Sequence, residues 1–337
     1  MKILVPVEDV LFASAIVNFI AQHQWPKAAE FQVITVIEPF LLEEFPPVAF
    51  GQMMESSTEY LLGEAHHVVE QVAESIKSAL PGVSVTASVL TGHVKEQILT
   101  TAEQWGAELI VAGSHGRSGF NRLVLGSVSL MLLCESPCPV MLVRPDAKTA
   151  KIWEKVNPSA LPKETIVDIL ADIYVEKEPR KIIVALDETE LSEQLIDMVG
   201  KHEWIPPAQF KLLSVVRRPA WLGRLGKPGF KEMYLELLAK RTGTVAKLAS
   251  KLSQALNNPN VLEEVKEGDA KQIIIDTAVN WDADLIVVGS HAPFAGPKLG
   301  SVALAVLCAA PCPVLLLRQP GPQSSALSHC DLSSTRV

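Results

Sequence analysis

The chain has 337 residues, enough for two domains of ordinary size, and its 48% hydrophobic and 20% charged residues are typical of a globular protein. A formal net charge of −8 argues against a nucleic-acid partner. The five cysteines argue against a disulfide framework, and neither a signal-peptide pattern nor an apolar run of membrane-spanning length occurs, so we expect a cytoplasmic protein with no membrane partner.

The first elements alternate between strand and helix patterns. Residues 2–8 (KILVPVE) and 31–36 (FQVITV) are short apolar runs that predict buried strands. The segment from Glu38 to Ser57 contains three prolines and a glycine, and we expect it to be a flexible connection. A helix through Leu61, Ala65, Val69 and Val72 is predicted to follow it.

A glycine loop follows the apolar run 108–112. Its pattern is Gly113-x2-Gly116-x9-Gly126-Ser127, and a segment of helical length comes next. Strand, loop and helix in this order leave free backbone N–H groups at a helix start, where the helix dipole favours an anion. The spacing is neither the dinucleotide fingerprint nor the Walker loop. Taken alone, the loop is better explained by glycines that serve only tight turns and bind nothing.

The chain is a tandem duplication. Residues 2–8 correspond to 181–187, the run 108–115 (ELIVAGSH) to 284–291 (DLIVVGSH), and 134–144 (CESPCPVMLVR) to 308–318 (CAAPCPVLLLR). Each copy alternates strands and helices, which predicts an α/β fold of two tandem doubly wound domains. Each domain would be a five-stranded parallel sheet with helices on both faces. Ligands in such folds bind at the carboxyl ends of the strands, here after Val7, Val36 and Gly113.

The domain boundaries follow from the duplication. We predict a first domain over 1–146, a linker over 147–179, a second domain over 180–319 and a disordered tail over 320–337. Apolar residues at helical spacing predict one amphipathic helix in the linker, from Lys163 to Tyr174. In the second copy the connection from Arg217 to Phe230 is basic, and a helix from Lys231 to about Leu256 is predicted to follow it.

These residues together resemble the universal stress protein family in its tandem two-domain form. The glycine pattern is similar to the signature of the family's ATP-binding branch, and the runs ELIVAGSHG and PCPVMLVR also look like family signatures. The resemblance implies a fold like that of the adenine-nucleotide α-hydrolases. It also implies that the chain binds ATP or AMP, with Mg²⁺ left open, and serves as a regulatory protein of the stress response.

The resemblance also implies a nucleotide site in the first copy. The ends of the first two strands would hold the adenine, an acidic residue would lie near the adenine and ribose, and the glycine loop would surround the ribose and phosphates. The implied residues are Pro6, Val7, Glu8, Val36, Gly113, Ser114, His115, Gly116, Arg117, Gly126, Ser127 and Val128. Arg117, like Arg122, is equally well explained as a solvated loop residue.

The second copy departs from the glycine pattern. Gly116 is replaced by Ala292, seven residues rather than nine lead to Gly300, and Pro293 and Pro297 each remove a backbone donor. A phosphate cradle made of N–H groups should suffer from these changes, so we expect one nucleotide per chain, in the first copy. At most a weak second site would remain, at Asp187, Val215, Gly289, Gly300 and Ser301.

No catalytic motif is apparent, and we expect at most slow ATP hydrolysis. Glu8-Asp9 is the single acidic pair that could serve Mg²⁺, and it is more simply the end of a strand and the start of a helix. A weak ATPase and a nucleotide-independent interaction scaffold remain alternative functions. The Cys134/Cys138 and Cys308/Cys312 pairs lie in apolar segments, so we expect buried thiols there and no metal site.

The last strand of each copy would leave an exposed sheet edge. By analogy with dimers of the family, and because pairing satisfies both edges, we expect residues 139–143 and 313–317 to join antiparallel and make the domains a pseudo-twofold pair. Whether two chains associate further is left open.

Overall fold

The structure is a computed structural model. It describes residues 1–8, 10–23, 25–38, 51–114, 125–144, 180–187, 190–201, 208–217, 228–290 and 299–318. Residues 1–144 are called the first half below, and residues 180–318 the second half. The predicted linker helix and the predicted tail lie outside the described residues, as does most of each glycine loop.

Strands and helices alternate through the first half. The first strand carries three fully buried residues, Ile3, Leu4 and Val5, as expected for a central strand with helices on both faces. The elements in chain order are β1 (Lys2–Pro6), α1 (Val10–Ala21), β2 (Glu30–Ile37), α2 (Gly51–Ala79), β3 (Ser84–Thr91), α3 (Val94–Trp105), β4 (Leu109–Gly113), α4 (Ser127–Glu135) and β5 (Val140–Val143).

The second half repeats this order. Its elements are β6 (Lys181–Leu186), α5 (Glu190–Lys201), β7 (Gln209–Val216), α6 (Pro228–Leu256), β8 (Val261–Glu267), α7 (Ala270–Trp281), β9 (Leu285–Ser290), α8 (Ser301–Ala309) and β10 (Val314–Arg318). Gly106 is the C-cap residue of α3, with a φ of 72°, and Asp282 is the C-cap residue of α7, with a φ of 53°. The left-handed conformation is therefore kept in the second half, although aspartate replaces glycine there.

All ten described strands form one sheet, in the order β3-β2-β1-β4-β5-β10-β9-β6-β7-β8. Pairing is parallel within each half. The halves meet where β5 and β10 pair antiparallel, with Leu142 opposite Val314 and Val140 opposite Leu316. This is the edge-to-edge contact expected from the sequence. The parallel strand order within each half, with helices on both faces, confirms the predicted doubly wound α/β fold.

Two apolar layers cover the sheet. One contains buried residues of α1, α2, α5 and α6, and the other contains buried residues of α3, α4, α7 and α8. Successive residues of a strand point to opposite faces, so Ile3 and Val5 join the first layer while Leu4 joins the second. The inner strands are therefore apolar at most positions, whereas the edge strands β3 and β8 keep exposed polar residues.

The start of the long helix was wrong in the sequence-based prediction. The connection was expected to run from Glu38 to Ser57, but α2 already begins at Gly51. Gln52, Met53, Met54 and Glu55 follow Gly51 and are good helix formers, which outweighs the proline-rich composition just before them. In the second half α6 begins at Pro228, three residues before the predicted Lys231, and proline is favoured in a first helical turn.

Candidate functional site

The first candidate site lies where β1, β2 and β4 end. β1 is the middle of these three strands, and the chain order reverses between β1 and β4. Val7 extends the pairing, since its N–H donates to the Ile34 carbonyl at 2.8 Å. Val7 is buried, Val36 and Pro6 are half-buried, and Glu8 is exposed. The structure therefore brings these four predicted residues to the same sheet edge, which we call the first strand-end site.

The N-terminus of α4 is fixed against the end of β4. Gly126 is the N-cap residue, and its N–H donates to the Ser114 carbonyl at 3.1 Å. The Ser129 hydroxyl donates to the Gly113 carbonyl at 2.7 Å. Ser127 is exposed and Val128 is half-buried in the first turn, whose N–H groups have no partner within the helix. The helix start thus lies at the first strand-end site, with its dipole positive there. His115, Gly116 and Arg117 lie outside the described residues.

The second half forms a cavity at the equivalent place, where β6, β7 and β9 end. Its volume is about 370 Å³, and we call it the second strand-end site. Apolar side chains of α5, β7 and α7 supply much of its wall. The five residues that the sequence assigned to a weak second site all line it: Asp187, Val215, Gly289, Gly300 and Ser301. Ala292, Pro293 and Pro297, which suggested a weakened cradle, lie outside the described residues.

Gly289 also has a purely structural reason to be glycine. A Cβ built at this position would lie 2.3 Å from Cδ2 of Leu191, on α5. Any larger residue would require the Leu191 side chain, or α5 that carries it, to shift away from β9. The glycine at the end of β9 is therefore explained by close packing, whether or not a ligand binds beside it.

Arg241 lines the second strand-end site and was missed by the sequence analysis. Its side chain is buried, with 8% of its surface exposed, and Nη1 donates to Ser214 Oγ at 3.2 Å. The Ser214 hydroxyl donates in turn to the Leu186 carbonyl at 3.1 Å. Burial lowers the pKa of Arg241, and the negative charge of Asp187 opposes that shift. A cation is thus held among apolar walls, with one carboxylate as a compensating charge.

Asp187 is held by the first turns of α5. Its N–H donates to Ser192 Oγ at 3.0 Å, and the same Oγ lies 3.0 Å from Asp187 Oδ1. The acidic residue after the first strand of this half is therefore oriented by a neighbouring hydroxyl. In the first half the corresponding positions are Glu8 and Ala13, so the Ser192 hydroxyl has no counterpart at the matched position.

The residue of α2 that corresponds to Arg241 can be found from burial. Val69, Val72, Ala73 and Ile76 of α2 are buried at the same spacing as residues 245, 248, 249 and 252 of α6. Continuing this register by one turn places Ala65 opposite Arg241. The first half therefore has a small neutral residue where the second half has a buried cation.

A cavity of about 360 Å³ lies at the junction of the halves. Arg180 donates to the Gln22 carbonyl and to the His23 ring, with Nη1 2.6 Å from Nε2. Burial lowers the pKa of Arg180 to about 10, and the charge of Asp284 opposes that shift. The His23 Nδ1 lies 2.7 Å from the Phe19 carbonyl. These groups bond to one another across the junction, so the arrangement serves to join the halves.

The described cysteines are free thiols. Cys312 is buried, and Cys134, Cys138 and Cys308 are half-buried. Burial raises the pKa of the Cys138 thiol, although a hydrogen bond with Ser136 opposes the shift. Within the described ranges, no group of three or more His, Cys, Asp or Glu residues is placed to hold a metal ion. None of the described helices combines the length and apolarity needed to cross a bilayer.

The fold and the strand-end sites define a class of protein: a duplicated, doubly wound α/β chain with a helix N-terminus facing each ligand edge. Comparison with known proteins then gives the family. The universal stress protein family matches residues 1–144 and 178–318. The chain therefore belongs to the universal stress protein family, with two family domains in tandem.

Individual relatives agree with this assignment. A universal stress protein of Mycolicibacterium smegmatis is 25% identical over 327 residues, which are 94% of this chain and 96% of that protein. One from Mycobacterium bovis is 24% identical over 347 residues, covering 95% and 96%. The crystal structure of a universal stress protein from Archaeoglobus fulgidus covers 95% of this chain and 98% of its own, with 18% identity and a TM-score of 0.59, and so shares the fold.

Proposed function

We propose that the chain binds an adenine nucleotide, ATP or AMP, at the first strand-end site and acts as a regulatory protein. The observation that carries the proposal is the start of α4. The Gly126 N–H and the Ser129 hydroxyl tie this helix to β4 at 3.1 and 2.7 Å, so the first-turn amides are held in place before any ligand arrives. A fixed helix N-terminus at the strand ends is suited to a phosphate group.

The sequence supports an adenine nucleotide rather than another phosphate ligand. The pattern Gly113-x2-Gly116-x9-Gly126-Ser127 resembles the signature of the ATP-binding branch of the family to which the chain belongs. Half-buried Pro6 and Val36 and buried Val7 offer apolar surface and backbone groups at the strand ends, as a purine requires. Glu8, exposed beside them, is placed to accept hydrogen bonds from ribose hydroxyls.

A regulatory role fits the arrangement of charged groups better than catalysis. At the described part of the first strand-end site, Glu8 is the acidic residue, and a hydrolase that uses Mg²⁺ generally draws on more than one metal-binding group. We propose that the nucleotide favours one conformation of the domain pair and so shifts its population. The bound nucleotide would then be a signal and not a substrate.

Isothermal titration calorimetry of the full chain with ATP and AMP, with and without Mg²⁺, tests the proposal. We expect one nucleotide per chain. Ser127→Glu places a negative charge at the exposed first residue of α4 and should weaken AMP binding by about tenfold or more, the equivalent of one charge-assisted hydrogen bond. Glutamate suits a helix N-terminus, so the variant should fold normally.

Ser301→Glu is the matched variant in the second half, at the exposed first residue of α8. It should leave the AMP affinity within about twofold of the natural chain, since the nucleotide is assigned to the other half. Two equal sites per chain, or a larger loss in Ser301→Glu than in Ser127→Glu, would contradict the proposal.

A further inference from the structure

The sheet ends at two edge strands, β3 in the first half and β8 in the second. No described strand pairs with the outer side of either one. An edge strand presents N–H and C=O groups that another chain can pair with, so proteins usually protect it with charged residues, proline or a bulge. Because β3 and β8 are equivalent strands of the two halves, their protection can be compared position by position.

The backbone groups that face outward from each edge follow from the hydrogen bonds that face inward. The Gly92 N–H donates to the Ile37 carbonyl at 2.9 Å, and the Gly268 N–H donates to the Val216 carbonyl at 3.0 Å. Peptide groups alternate between the two sides of a strand, so the even-numbered residues of both edge strands bond to the inner neighbour. The odd-numbered residues face outward, and they are Val85, Ala87, Val89 and Thr91 in β3 and Val261, Glu263, Val265 and Glu267 in β8.

The edge of the second half carries charged residues of the kind that protect an edge strand. β8 has the sequence VLEEVKE, and its outward-facing residues include Glu263 and Glu267. Between them, Glu264 forms ion pairs with Lys266 at 3.0 Å and with Lys211 at 3.4 Å. Two copies of β8 placed side by side would bring glutamates of like charge together, which is destabilising. This edge is therefore poorly suited to pairing with its own copy.

The edge of the first half lacks this protection. β3 has the sequence SVTASVLT, which contains neither a charged residue nor a proline, and Ala87 and Thr91 stand where β8 has Glu263 and Glu267. Its pairing with β2 runs without a break from Ser84 to Thr91, so no bulge turns the edge away. With 8 residues it is longer than the usual strand of about 5–6, and its valines and threonines favour strand pairing.

We propose that β3 is an interaction surface for a second copy of this chain, with the two β3 strands antiparallel across a twofold axis. Val85 of each copy would lie opposite Thr91 of the other, and Ala87 opposite Val89, because this register pairs every outward-facing residue of the strand. Each such pair exchanges two backbone hydrogen bonds. The sheets of the two copies would then be continuous.

The charge pattern of the edge favours a second copy as the occupant. A neutral strand is complementary to itself in this arrangement, because a twofold axis sets the same residues against each other and no like charges are opposed. The chain already joins equivalent strands in this way, since β5 and β10 pair antiparallel between its two halves. The pairing of β3 does not depend on the nucleotide proposed for the first strand-end site.

Sedimentation velocity of the natural full chain over a range of concentrations tests the proposal. We expect a dimer at micromolar concentration. Ala87 is exposed, so Ala87→Lys should fold normally, and the charge it places on the edge should weaken dimerisation by about tenfold or more. Glu263→Lys, at the equivalent exposed position of β8, is the matched control and should change the dimer affinity by less than about twofold. A chain that stays monomeric up to millimolar concentration contradicts the proposal.

Amide hydrogen exchange followed by NMR locates the contact. The amides of Val85, Ala87 and Val89 should exchange more slowly as the protein concentration rises, and Ala87→Lys should remove this dependence. The amides of Glu263 and Val265 in β8 should exchange at the same rate throughout. The proposal fails if the concentration-dependent protection lies elsewhere than β3, or if Ala87→Lys and Glu263→Lys weaken the dimer equally. It also fails if the outward-facing β3 amides are already fully protected in the dilute monomer.

Discussion

The two strand-end sites have the same backbone frame and different polar groups. In the first, the Ser129 hydroxyl bonds to the Gly113 carbonyl at 2.7 Å, and the residue in register with Arg241 is Ala65. In the second, Ala303 replaces Ser129, and Arg241 lines the cavity. The strands, the helix starts and the end-of-strand glycine are kept in both. Duplication has thus preserved what the fold needs, while polar groups at the strand ends have changed.

The largest expected effect is a loss of stability on truncating matched core leucines, which tests whether the two halves are packed equally well. Leu142 and Leu316 are both fully buried on the central strands β5 and β10. Leu142→Ala and Leu316→Ala should each lower the free energy of unfolding by about 2–5 kcal/mol, because each leaves a cavity at the junction. Denaturant unfolding would measure both. A large difference between the two losses would show that the halves differ in packing as well as in their sites.

A smaller effect is expected from the hydroxyl that distinguishes the first site. Ser129 is buried, and Ser129→Ala should cost about 1 kcal/mol of stability because the Gly113 carbonyl loses its donor. It should also weaken nucleotide binding, since the start of α4 is no longer tied to β4. Thermal unfolding and calorimetry would measure the two effects. Ser127→Ala, in the same helix but exposed, is the stability control, and an equal loss of stability there would contradict the assignment.

The smallest effect comes from a charge cluster present in the second half. Partial burial opposes ionisation of Glu264. The hydrogen bond from Lys266, together with the charges of Lys211 and Lys266, outweighs this effect and lowers the pKa of Glu264 below its usual 4.5. Lys266 Nζ lies 3.0 Å from Glu264 Oε1, and Lys211 Nζ lies 3.4 Å from Oε2. The corresponding first-half residues are Gln32 for Lys211 and Ser88 for Glu264.

Because the pKa of Glu264 is lower in the folded protein than in the unfolded chain, its ionised carboxylate stabilises the fold at pH values above the unfolded pKa. This stabilisation is lost as the pH falls through the folded pKa. Glu264→Gln should therefore be less stable than the natural chain at pH 7, by less than about 1 kcal/mol because the cluster is partly exposed. The difference should disappear as the pH falls below the folded pKa. Ser88→Ala should give a difference that does not vary with pH. Denaturant unfolding across this pH range would measure both, and a Glu264→Gln cost that persists in acid would contradict the electrostatic explanation.

Much of the fold could be predicted from the sequence because it depends on repeated local patterns. The apolar runs at 3–5 and 182–184 are short and uninterrupted, which is how a parallel strand with helices on both faces must appear. The antiparallel contact between β5 and β10 was predicted from the resemblance to dimers of the family together with the pairing of exposed sheet edges. The start of α2 was harder to predict, because the prolines before Gly51 favour a loop while the residues that follow favour a helix.

The role of Arg241 in the second strand-end site was harder to predict, because this residue lies far in sequence from the strand ends beside which it packs. A signal was nevertheless present: Arg241 precedes Val245, Leu248, Ala249 and Leu252 at helical spacing, so it falls on the buried stripe of α6. An arginine on such a stripe must find a polar partner. Which partner it finds depends on tertiary packing, and no local pattern reveals that Ser214 and Asp187 meet it there.

The antiparallel junction of β5 and β10 has a geometric consequence. Because all strands of one half run the same way and those of the other run in reverse, the two carboxyl ends open on opposite margins of a single broad sheet. Occupants of the two sites can neither touch nor compete for the same amides. Along the sheet, the described path between the two sites runs through β4, β5, β10 and β9, so a change of twist at one margin can reach the other through these hydrogen-bonded strands.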